Sequence, residues 1–147
     1  MIREKSAGAI IFRKEEGKML FLLLHYESGH WDFVKGHIEE NEEEKETIRR
    51  ETEEETGIRD LNFIDGFKET ISYFYKKDGK TIFKEVVFYL AETKTKDVKI
   101  SFEHKGYSWL EYRDALRKAT FKTAKNLLEK AYSFLKEKGE QKSIQDF

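Results

Sequence analysis

Apolar residues along this chain come in short patterned segments separated by polar breaks. Residues 7–13 and 18–25 are apolar and rich in β-formers, with Glu15-Glu16-Gly17 between them, which predicts an opening hairpin. Gly29 to Gly36 reads as a loop with a short strand inside it. From Asn41 to Thr56 there is neither Gly nor Pro, and Gly57 stands where a left-handed helix terminus is wanted, so the spacing predicts one helix. Residues 67–76 and 80–92 predict two long strands joined by a tight turn at Asp78-Gly79. A further strand is expected near 106–111. Phe121, Ala124, Leu128, Ala131 and Leu135 recur at helical spacing and predict an amphipathic helix over 121–137.

Nothing in the chain repeats, and no low-complexity linker divides it. One domain over 1–138 with a loose tail over 139–147 is expected. The order strand, strand, helix, strands, helix predicts an α/β (α+β) fold in which a mixed sheet is flanked by helices.

Composition narrows the functional classes. With 39% charged, 38% hydrophobic and 14% aromatic residues the 147-residue chain is a globular domain, not a disordered one. Lys and Arg number 28 against 29 Asp and Glu, a formal charge of -1, so no whole-molecule field gathers nucleic acid and anion binding must be local. The absence of cysteine excludes disulfides, thiolate catalysis and thiolate metal sites, leaving oxygen or imidazole ligands. Met1 to Lys5 lacks the apolar core of a signal peptide, and the longest apolar run, Met19 to Leu24, is too short for a bilayer. A cytoplasmic protein without a membrane partner is expected.

The chemistry concentrates between Gly36 and Ile58. At about 3.6 residues per turn, Glu51, Glu54 and Glu55 project within roughly 100° of one another on the predicted helix. Three like charges on one face repel, so something cationic is expected against them, and a hard divalent ion such as magnesium fits oxygen ligands. A plain alternative exists: a solvated Glu/Lys helix, with Glu46 to Arg50 and Arg50 to Glu54 as ordinary surface pairs. The fixed offsets of Gly36, the Arg50-Glu51 pair and Gly57 favour the metal reading.

Gly36, followed after five residues by Glu42 and after seven more by Arg50-Glu51-Thr52-Glu53-Glu54-Glu55-Thr56-Gly57-Ile58, resembles the Nudix box. Every fixed Gly, Glu and Arg is present; Thr52 departs from the larger apolar residue usual there. Trp31-Asp32-Phe33-Val34-Lys35-Gly36-His37 resembles the Trp-x-x-Pro-Lys-Gly-His segment of the asymmetrical diadenosine tetraphosphate hydrolases, with Val34 in place of proline. Thr at position 52 is common in that subgroup. Ile64 to Lys68, Lys84 to Glu92, Glu103-His104, Tyr107 to Leu110 and Ala119 to Lys122 are similar to subgroup segments in order and spacing.

The resemblance implies a Nudix fold, with the mixed sheet sandwiched between helices, and Mg²⁺-dependent hydrolysis of a phosphoanhydride bond, diadenosine tetraphosphate giving ATP and AMP. Mn²⁺ would serve as a substitute metal. Implied ligands are Glu51, Glu54, Glu55, Glu103 and the Gly36 carbonyl. Tyr73 and Phe121 would sandwich an adenine, while His30, Lys35 and Lys84 would meet the phosphate chain, with Tyr107 near it. Glu54 is the expected general base, with Glu51, Glu55 and Glu103 as alternatives, and Arg50 would orient the carboxylates. Read from the residues alone, Tyr73 and Phe121 are core or hairpin aromatics sooner than a base sandwich, and the resemblance reverses that order. The box gives reaction class and not substrate: RNA 5′-pyrophosphate removal, cleavage of ADP-ribose or nucleoside triphosphates, and a non-catalytic binding module are the rival readings. Nucleic acid enters only as a 5′-end substrate.

Overall fold

A computed structural model describes residues 1–145, with side chains through Gly139. Strands β1 (Ile2–Glu15) and β2 (Lys18–Tyr26) form the expected hairpin, closed by Glu16 and Gly17 at φ 50° and 78°. Two short strands, β3 (Trp31–Asp32) and β4 (Val34–His37), precede helix α1 (Glu44–Thr56). Strands β5 (Asn62–Lys77) and β6 (Lys80–Glu92) form a second hairpin with Asp78 and Gly79 at φ 53° and 74°, the left-handed pair that a two-residue turn requires. Strand β7 (His104–Leu110), α2 (Tyr112–Lys118) and α3 (Lys122–Gln145) complete the chain.

The sheet runs β3-β2-β1-β6-β5, with β4 on β1 and β7 on β2. β1 pairs parallel with β6 and antiparallel with β2 and β4, so the sheet is mixed as expected. β1 is central because Ala7 to Phe12 is apolar on both faces, the pattern of a strand covered on both sides. Ala7, Ala9 and Ile11 meet Ile48 of α1 on one face. Ile10 and Phe12 meet Ala115 of α2 and Leu127 and Leu128 of α3 on the other. The sheet is therefore sandwiched between helices, as the resemblance implied. Among the described residues no helix is long and apolar enough to cross a membrane.

Several boundaries differ from the sequence reading, β1 and β7 among them, which start at Ile2 and His104. α1 begins at Glu44, not Asn41, because Asn41 adopts φ 66° and cannot continue a right-handed helix. The Glu43 amide instead donates to Glu46 Oε1 at 3.2 Å, capping a helix that starts at Glu44, three residues after Asn41. β5 begins at Asn62, before the expected 67, and an irregularity in its pairing with β6 near Gly66 hides the early part from simple alternation. α2 was not expected at all. α3 passes the expected end at 137 and is described to Gln145, while the last two residues of the expected tail lie outside the described residues.

Candidate active site

Helix α1 lies over β4 and β1 and turns its last two turns toward a cleft floored by β4. The cleft has a volume of about 570 Å³ and is walled by Glu51, Glu54 and Glu55 of α1, Lys35 and Gly36 of β4, and Glu103 from the loop before β7. The four carboxylates expected as ligands thus line one cleft, with Glu51 packed against Gly36 of β4. Gly36 is required there: a Cβ would overlap the Glu51 side chain. No three acidic or imidazole groups among the described residues converge into a ready-made cage. Two of the carboxylates, Glu51 and Glu54, share one partner.

Arg50 is the chief partner. Its Nε and Nη2 donate to Glu42 at 2.8 and 3.0 Å, and Nη1 donates to Glu51 Oε1 at 2.8 Å and to Glu54 Oε2 at 3.4 Å. Nη2 also donates to the His37 carbonyl at 3.0 Å, tying the helix to the end of β4. This fork to carboxylates holds the guanidinium charged, and the Arg50 hydrogen bonds bring the Glu42 carboxyl down to about 2. Arg50 does not line the cleft. Its geometry is that of a group orienting the carboxylates.

Glu55 is different. It is buried, its Oε2 has no hydrogen-bond partner, and no cation neutralises it. Burial, and then the neighbouring Glu51, Glu103 and Glu54 charges, push its carboxyl up to about 9. His104 Nε2 lies 3.3 Å from Glu55 Oε1 but out of hydrogen-bond alignment, and burial lowers the imidazole's pKa as well. Two buried polar groups therefore face each other incompletely satisfied. An unpartnered buried carboxylate oxygen, surrounded by three further carboxylates and no thiol, is the donor chemistry of a hard divalent cation. A cation of that kind beside Glu55 reverses the cost of ionising it.

A second cavity of about 440 Å³ adjoins the first through Lys35, which borders both. Its walls include Tyr73 and Phe121, both partly exposed, with Ile71, Phe88 and Leu127 behind them. The two aromatics come from elements nearly fifty residues apart in sequence. Phe121 is fixed because Thr120 is pinned to β3: the Trp31 amide donates to Thr120 Oγ1 at 2.8 Å, and the Thr120 amide to the Trp31 carbonyl at 3.1 Å. Lys35 is braced by Asp32 at 3.4 Å.

The remaining expected residues stand close to these cavities without lining them. His30 stacks on Tyr26 at 4.6 Å and approaches Phe121 at 5.2 Å. Lys84 faces Tyr73 across the β5/β6 ladder, and burial together with Lys35 lowers its pKa. Tyr107, opposite Leu24 on β7, is part-exposed and borders neither cavity. Two contributors were not among the expected site residues: Tyr26 carried no signal in the sequence, and His104 entered only as part of the Glu103-His104 resemblance. Tyr26 is partly buried, lines the cleft and donates to the Phe33 carbonyl at 2.5 Å, and His104, by itself an unremarkable loop histidine in the sequence, is buried. Thr52, at the family's apolar position, is buried, and its Oγ1 finds no partner.

Comparison with known proteins agrees with this arrangement. A NUDIX domain matches residues 2–131. The mouse asymmetrical bis(5′-nucleosyl)-tetraphosphatase is 38% identical over 143 residues, covering 89% of this chain and 95% of the mouse protein. A crystal structure of a Caenorhabditis elegans Ap4A hydrolase binary complex superposes with a TM-score of 0.80 at 37% identity, covering 91% of this chain and 98% of that one. A Bartonella henselae RNA pyrophosphohydrolase is 32% identical over 81 residues, covering half of this chain and 47% of that protein. With the box geometry in place and the domain match spanning nearly its whole length, this chain belongs to the Nudix family.

Proposed function

We propose that the protein is a magnesium-dependent hydrolase of dinucleoside polyphosphates, cleaving diadenosine tetraphosphate to ATP and AMP. One observation carries the reading: a carboxylate cleft and an apolar cavity flanked by two aromatics meet at a single lysine, Lys35. A phosphate chain attached to a base has that same division of character. The names of the mouse and nematode relatives support the same substrate class.

In this reading Glu51, Glu54, Glu55 and Glu103, with the Gly36 carbonyl, hold magnesium, for which manganese substitutes. Bound there, the metal lowers the pKa of water and neutralises phosphate charge. Glu54 accepts the proton as water attacks a phosphorus of the chain and the bridging P–O bond breaks. Lys35 and Lys84 offset charge on the phosphate oxygens, His30 and Tyr107 flank the chain, and Arg50 keeps Glu51 and Glu54 aimed. Tyr73 and Phe121 stack on one adenine and set the register of attack. A cytoplasmic site of action accords with a chain lacking cysteine.

The test is a panel of diadenosine tetraphosphate, diadenosine triphosphate, ADP-ribose, dGTP and 5′-triphosphorylated RNA, incubated with Mg²⁺ and resolved by ion exchange. ATP and AMP appearing fastest from the tetraphosphate is the expected result. Faster turnover of RNA, in line with the partial Bartonella match, would replace the substrate. No magnesium-dependent product from any member would leave a binding module.

A further inference from the structure

A dinucleotide has two bases, and the Tyr73 and Phe121 cavity accommodates one. We infer that Phe102 docks the second base, at the wall of the carboxylate cleft that the apolar cavity does not share. This rests on the dinucleotide reading above.

Phe102 is 91% exposed, the most exposed aromatic ring among the described residues, and belongs to neither core cluster. Its exposure is imposed by an anchored backbone. The Ser101 amide donates to the Glu55 carbonyl at 3.3 Å, and the His104 amide to the Ser101 carbonyl at 3.1 Å. The Glu27 amide donates to the Glu103 carbonyl at 3.3 Å, and the Glu103 amide to Ser101 Oγ at 3.4 Å. Both flanks of the turn are thereby tied to α1 and to the end of β2, and His104 is buried beneath it. Phe102 stands at the apex, with its ring directed to solvent beside Glu103.

Its neighbours make the position informative. Isolated exposed apolar side chains are common and need no explanation by themselves. This one is a wall of a cleft whose other walls include Glu39, Glu51, Glu54, Glu55 and Glu103. A phenyl ring supplies no oxygen ligand to a hard divalent cation and no donor to phosphate, but it offers a stacking face to a base, and stacking tolerates any base because each has a π face. Lys35 borders both cavities, Tyr73 and Phe121 border one, and Phe102 borders the other. A chain laid from the aromatic pair across Lys35 and the carboxylates ends at Phe102.

The experiment compares kcat/KM for diadenosine tetraphosphate with that for adenosine 5′-tetraphosphate, which keeps the phosphate chain and lacks the second nucleoside. The expected result is that Phe102→Ala lowers the ratio of the two constants roughly tenfold, with Phe102→Trp restoring it. A ratio equal to the wild-type value in Phe102→Ala, whether both constants fall together or neither moves, overturns the inference while leaving the proposed function standing. Wild-type protein that hydrolyses neither tetraphosphate overturns the proposed function and the inference with it.

Discussion

The two ends of α1 carry carboxylates with opposite fates. Glu44, in the first turn, is fully matched: Tyr89 donates to Oε1 at 2.6 Å, Lys68 approaches it at 3.3 Å, and Lys5 sits 3.0 Å from Oε2. These partners outweigh the opposing cost of partial burial and hold its carboxyl down to about 2. Glu55, in the last turn, has an oxygen without a partner and a carboxyl pushed up to about 9, chiefly by burial. The helix dipole sharpens the contrast, favouring negative charge at the N-terminus and opposing it at the C-terminus. No basic residue stands in the last turn of α1 to compensate. One end of the helix is completed by the protein itself; the other is built to be completed from outside.

The contrast can be broken or sharpened by substitution. The largest effect is expected for Glu54→Gln, with turnover falling about 10²–10⁴-fold as the proton acceptor is lost. Its far-ultraviolet dichroism should match the wild type, since Glu54 contributes only a 3.4 Å contact with Arg50. Near-normal turnover would remove Glu54 from the base role. Gly36→Ala is next, because the added methyl displaces Glu51 and misplaces the carboxylates, costing roughly 10²-fold in kcat/KM. Activity within a few-fold of the wild type would show that Glu51 has room to move.

The smallest effects, on melting temperature in chelator, should have opposite signs at the two ends. Glu55 has a raised pKa, so its ionisation costs stability that grows as pH rises above about 4.5 toward 9. Glu55→Gln should therefore melt higher than the wild type at pH 8. Glu44 has a lowered pKa, so its contribution is present above about 4.5 and lost as pH falls toward 2. Glu44→Gln should melt lower at neutral pH, by at most about 1 kcal/mol given its surface position, and should flatten the acid limb. Shifts of the same sign in both variants would dissolve the distinction.

How much of this the chain displays before folding differs by region. The Asp78-Gly79 turn, the opening hairpin over residues 7–13 and 18–25 and the carboxylate face of α1 were legible because each depends on neighbours a few residues away. α2 was missed because seven residues, Tyr112 to Lys118, give barely two turns in which to see a period, and only Ala115 among them is buried. The start of α1 was misplaced because a left-handed Asn41 leaves no mark on composition. His104 was read as a loop residue because its burial under the turn at 101–103 depends on β7 pairing with β2.

By itself the sequence determined the long strands, helices α1 and α3, the mixed sheet between helices and the three-carboxylate face, since helical and strand periods are local properties of the backbone. Tertiary structure alone decided which carboxylate is matched and which is left open. It also brought Tyr73 and Phe121 to one cavity, joined that cavity to the carboxylate cleft at Lys35, and set Phe102 at the wall of the cleft. The reason is physical: burial, and the charges that face a buried group, depend on which distant segments pack together, and no window of sequence contains them.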